Sequence, residues 1–176
     1  MIEDDDTQQE APPQEAEGDK TRAGLSEAEM RDNLLRLAFG GEETRFQAFL
    51  NVIIAAVAPD VAAVMRGSSV TGKRWEDGEP FDHDGPGTSD LDLTLVGAAC
   101  LEHYTSEGFY IPRIHSKPLS DEHPDIAPTL LPLREQLMAL VHRPVNIQGT
   151  RDWVMFCREH LMGQPYLTLF GKLDES

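Results

Sequence analysis

The chain has 176 residues, enough for one domain with a real core and too few for two of ordinary size. Its formal charge of -16 argues against non-specific nucleic-acid binding, which depends on Lys and Arg displacing counterions from phosphates. Its two cysteines, Cys100 and Cys157, make no disulfide framework and suit a reducing, cytoplasmic setting as free thiols.

Residues 1–20 hold eight acids and one lysine with almost no apolar side chains. Such a stretch cannot offset the entropy of ordering it, so residues 1–22 are expected to form a disordered acidic tail and 23–176 the folded domain. The acidic start also lacks the basic, then apolar, pattern of a secretory signal. Ser26 with Glu29 makes a capping box. Met30, Leu34, Leu35 and Leu37 follow on one helical face until Gly40 and Gly41. A second helix begins near Glu42, with Phe46, Phe49, Leu50, Ile53, Ile54 and Val57 as a buried stripe, and Pro59 closes it. The apolar run within it, residues 49–58, is roughly half of a bilayer span, so no membrane partner is expected.

Residues 61–66 read as a short apolar strand running into Gly67. Residues 73–88 are dense in Gly, Pro and Asp and read as an excursion, in the form of a hairpin. Residues 89–97, SDLDLTLVG, alternate along their length and predict a strand. A short helix over 98–107, a strand at 109–114 within a long loop, a helix at 129–142, a strand at 144–149, a helix at 151–161 and a strand at 166–171 complete the order. Helices first, then strands with helices between them, predict an α/β or α+β mixed sheet with the N-terminal helices packed on it.

Two motifs carry chemistry. Gly67 to Lys73 fits the front of a phosphate-binding P-loop, G-x-x-x-x-G-K, but that motif needs Ser or Thr next for its magnesium, and Arg74 stands there. A P-loop also opens a helix, and RWEDGEP is a poor helix start. The second motif is Asp90-Leu91-Asp92. Strand alternation puts Asp90, Asp92 and Thr94 on one face and Leu91, Leu93 and Leu95 on the other, so two carboxylates converge. A hard ion such as magnesium, shared with substrate phosphates, is their natural occupant.

An apolar strand ending in Gly-Ser, a glycine turn, and a later strand of the form Ser-Asp-x-Asp resembles the DNA polymerase β-like nucleotidyltransferase superfamily. The pieces here are MRGSSVTG, residues 65–72, and SDLDLTLVG. With the G-x-P-F turn at Gly78 to Phe81, the KPLS turn and RPVNI, the match to residues 61–149 resembles nucleotidyltransferase domains of bacterial polymorphic toxins. The resemblance implies that Gly67, Ser68 and Ser69 hold the phosphates of a nucleoside triphosphate, with Lys73 offsetting charge. It implies that Asp90 and Asp92 bind two magnesium ions, and that a nucleoside monophosphate passes to an acceptor hydroxyl of RNA, a protein or a small molecule. The rival expectation is a catalytically degenerate nucleotide sensor or partner-binding module, and a third is one half of a toxin and immunity pair.

One position departs from the superfamily. A third carboxylate belongs on the strand VNIQ, and Asn146 stands there; an amide cannot act as a general base, though it can position an acceptor or a water. Asp121, Glu122, Asp125 and Asp152 are the carboxylates open to recruitment in its place. Arg113 and Lys117 lie in a loop able to close over the phosphates. Cys157-x-x-His160 reads as a core thiol and a surface histidine, His115 and His123 with Asp121 and Asp125 as loop residues with a zinc site as the minor alternative, His83 as loop surface, and Trp75 as packing for the excursion, with stacking on a base as its alternative.

Overall fold

In the computed structural model, which describes residues 24–173, the start and stop signals predicted for the first helix are both realised. The expected tail at 1–22 lies outside the described residues. Ser26 accepts from the Glu29 backbone and Glu29 reaches back to the Ser26 N–H, starting α1 (Glu27–Phe39); Gly40 ends it in the left-handed conformation. Helix α2 (Glu43–Ala56) follows after the two-glycine turn.

Six strands form one mixed sheet, and the fold is α+β. They are β1 (Ala62–Arg66), β2 (Leu91–Val96), β3 (Phe109–Ile111), β4 (His115–Ser116), β5 (Val145–Thr150) and β6 (Tyr166–Phe170), in the spatial order β3-β4-β5-β2-β1-β6. β2 runs antiparallel to β1 and parallel to β5, and β6 closes the far edge antiparallel to β1. Between them lie the single turn α3 (Ser68–Thr71), helix α4 (Leu131–Val141) and α5 (Trp153–Phe156), which continues as a π turn over Cys157–Leu161.

Alternation along the strands sorts the sheet into two faces. Leu91, Leu93, Leu95, Val145, Ile147, Ala63 and Met65 meet Met30, Leu34, Phe39, Phe46, Phe49 and Ile53 of the N-terminal helices and Leu133 and Leu137 of α4 in the main core. Phe39 sits edge-on to Phe49, with ring centroids 5.2 Å apart. The opposite face carries a smaller cluster of Ala62, Val64 and Val96 under Trp153, Phe156 and Leu161. α5 and its π turn cover only that part, leaving the ends of β2 and β5 nearest Asp92 and Asn146 half-open.

Four expectations need correction. The stripe of α2 is narrower than predicted: Phe46, Phe49 and Ile53 are buried, while Ile54 is 50% exposed, on the side of the helix away from its packing against α1 and the helix over Leu131–Val141. The excursion is not a hairpin; it has one isolated bridge, Lys73 to Pro80, and is otherwise a folded loop. Trp75 does not pack it, being 51% exposed. The last helix is not uniformly α: the Met162 N–H bonds five residues back to the Cys157 carbonyl, and this wider turn draws His160 inward, against the surface position expected of it.

Candidate functional site

The register places Arg66, Asp92 and Asn146 in one row across β1, β2 and β5, and alternation points all three side chains to the same face. Asp90 lies one residue ahead of β2 and joins them. The Asn146 amide donates to the Asp90 carboxylate at 2.6 Å and to the Asp92 carboxylate at 3.2 Å, so both aspartates meet over one side chain.

Gly67 closes the other wall. Its φ of 85° and ψ of -164° are glycine conformations, and a Cβ there would lie 2.9 Å from Asp92 Oδ2. The Gly67 backbone therefore touches the Asp92 carboxylate, and the glycine-serine bend and the aspartate pair share one cleft. Beyond it α3 is a single turn that Gly72 ends before Lys73, so no helix opens after the P-loop-like motif.

Burial raises the Asp90 carboxyl above the usual carboxylate range, and the charge of Asp92 adds to the effect. The Asn146 amide and the Arg66 guanidinium oppose it. Arg66 is the cation closest to this chemistry in the row. Its Nη2 donates to Gln148 Oε1 at 2.8 Å and its Nε to Thr94 Oγ1 at 3.3 Å, and its guanidinium lies 5.7 Å from the Phe156 ring centre. Sequence reasoning missed Arg66, although the alternation that selects Val64 for this face selects Arg66 as well.

A second missed feature holds Asp90 in place. Arg143 grips Asp82 with two hydrogen bonds, at 2.7 and 3.0 Å, and donates to the Ser89 carbonyl at 2.8 Å while stacking 4.5 Å from the Phe81 ring centre. Asp82 in turn accepts from the backbone N–H groups of Ser89 and Gly87. The excursion is thus tied down at the residue preceding Asp90. The dense Asp, Gly and Pro content that reads as a loop is also what builds this knot.

The remaining predicted residues divide. Ser68 is half-buried at the bend, whereas Ser69 is wholly buried, so its hydroxyl does not line the open cleft. Lys73 is exposed one residue past Gly72. Asp121 pairs with Arg134 at 2.9 Å and Asp152 caps α5, which gives both a structural partner; Glu122 and Asp125 are exposed. Arg113 is exposed, Lys117 half-buried, and His83 pairs with Glu79 on the loop surface. Burial pushes the Cys100 thiol up to about 12. His115 is not a loop residue; it lies on β4, buried, facing Glu159 and His160.

No helix among the described residues is long and apolar enough to cross a membrane. Comparisons with family models, curated proteins and solved structures give no match.

Proposed function

We propose that the chain is a magnesium-dependent nucleotidyltransferase, moving a nucleoside monophosphate from a nucleoside triphosphate to an acceptor hydroxyl. The observation that carries this reading is the convergence of Asp90, Asp92 and Asn146 on the face where the Gly67 bend meets Asp92. Two carboxylates this close, one of them held above its ordinary range, fit a hard divalent ion. Bound magnesium would neutralise the triphosphate and polarise its α-phosphorus.

In the transfer, the acceptor oxygen forms a bond to the α-phosphorus, the bond from that phosphorus to the bridging oxygen breaks, and pyrophosphate leaves with the electron pair. The acceptor proton passes to solvent, because Asn146 has no basic atom to receive it. Gly67 lets the backbone approach the phosphates beside Asp92, Ser68 lies at the same bend, and Arg66 contributes fixed positive charge where negative charge accumulates. Alignment and electrostatics, more than proton abstraction, are what this arrangement offers.

A second reading rests on one side chain. Asn146 already satisfies both aspartates by hydrogen bonding, as a nucleotide sensor without turnover would permit. Incubation of the full chain with each labelled triphosphate, magnesium and a cell lysate separates the two. Label in a covalent product together with pyrophosphate supports the transferase; tight binding with neither supports the sensor. Absence of binding overturns both.

A further inference from the structure

Two buried imidazole nitrogens lie beside one carboxylate on the part of this sheet face remote from the aspartates. His115, on β4, is fully buried, and its Nδ1 is 2.7 Å from Thr150 Oγ1. Its Nε2 has no hydrogen-bond partner and lies 3.7 Å from Glu159 Oε2. His160 Nε2 is likewise buried without a partner. Donor atoms of His115, Glu159 and His160 all lie within 4.8 Å of one another.

A buried polar atom left unpaired costs about 1–3 kcal/mol, and here two stand together. If both nitrogens carry protons, two donors lack acceptors; if neither does, two lone pairs face the same space. A soft-to-borderline divalent ion satisfies both lone pairs and the Glu159 carboxylate at once. A tetrahedral zinc ion with bonds of about 2.0–2.1 Å needs donors roughly 3.3 Å apart, which modest side-chain rotation reaches from the present spacing.

The surroundings match such a centre. Thr150 fixes the His115 ring through its other nitrogen, the usual way a ligand imidazole is oriented. The Phe156 ring centre lies 4.9 Å from that of His160, and the half-exposed Tyr110 ring stacks on it at 5.7 Å, so the imidazole is held between two aromatic rings. Burial holds both imidazoles below the ordinary histidine range, in the neutral state that ligates. Arg66 adds positive charge near His160, a cost the Glu159 carboxylate counters. Glu159 also lines a groove of about 530 Å³ with Arg151 and Arg158, so its carboxylate borders solvent while the two imidazole nitrogens are buried behind it. The π turn is what brings Glu159 and His160 to this spot together.

We propose that His115, Glu159 and His160 bind a zinc-class divalent transition-metal ion with one coordination position left open, separate from the aspartate pair and tying the C-terminal helical segment to β4. Thr150 and Asn146 are four residues apart on β5, which sets the two centres about 13 Å apart along the strand.

Cobalt(II) is the probe, because tetrahedral coordination gives it strong visible absorption. Titrated into the full chain carrying both D90N and D92N, it is expected to bind one equivalent and develop that absorption. H160A and E159Q should lose it, with affinity falling by at least the roughly 10–100-fold expected for T150V, which removes only the orienting hydroxyl. Both H160A and E159Q alter incompletely buried side chains, and far-UV circular dichroism checks that they fold, so the test does not depend on H115Q. No absorption in the D90N/D92N chain, or undiminished absorption in folded H160A, overturns the proposal.

Discussion

Arg143 holds Asp82 by two hydrogen bonds while donating to the carbonyl of Ser89, so an ion pair distant in sequence fixes the residue next to Asp90. The Arg143 side chain is only 8% exposed, which makes the pair more than a surface contact. Asp82→Asn is expected to lower stability by about 2 kcal/mol at neutral pH, measured by urea unfolding.

The same pair has a pH signature. Arg143 lowers the Asp82 carboxyl from 3.8 to about 2, so its folded value lies below its unfolded one. Its contribution is therefore full above about pH 4 and disappears as pH falls towards 2. The stability gap between wild type and Asp82→Asn should close over that window; a gap independent of pH would refute the assignment.

Asp90 behaves in the opposite sense. Its carboxyl is raised, so the ion-free fold is most favoured below pH 3.8, where Asp90 is protonated in both states, and is penalised as pH rises through the folded value. Asp90→Asn should stabilise the ion-free protein at neutral pH by about 1 kcal/mol, seen as a higher melting temperature in chelator. It should also abolish magnesium-dependent triphosphate binding, measured by calorimetry.

Gly67→Ala tests the bend. The new methyl meets Asp92 Oδ2 at 2.9 Å in a backbone conformation that alanine disfavours. A loss of about 1–3 kcal/mol in denaturant unfolding is expected, together with weaker nucleotide binding. Wild-type stability and binding would show that the bend does not press on the aspartate.

Asn146→Asp replaces a donor to two carboxylates by a third negative charge. Ion-free stability should fall, because both hydrogen bonds become repulsions, while magnesium affinity rises. Thermal melts with and without magnesium report both changes.

The sequence made the cleft legible because each signal was local. Alternation in SDLDL set Asp92 opposite the leucines, and the Gly-Ser step set the bend. The capping box at Ser26 and the glycines after Phe39 marked α1 as firmly. What escaped depends on pairs far apart in the chain. Arg143 and Asp82 are 61 residues apart, and His115 and His160 come from a two-residue strand and a π turn whose hydrogen-bond period no short-range pattern announces. The exposure of Ile54 belongs with these, since an apolar residue on a helix does not say how wide the opposing surface is.

Gln148 uses both ends of its amide: the oxygen receives Arg66 and the nitrogen donates to the Ser116 carbonyl at 2.8 Å. Turning that group over would set nitrogen against guanidinium and oxygen against carbonyl, so its orientation is locked. One uncharged side chain thus works as a splint between the acidic row and the two-residue strand β4. Loosening of that short strand would be felt first as a wandering Arg66, and the carboxylates would lose their steadying positive neighbour before any strand of the main core let go.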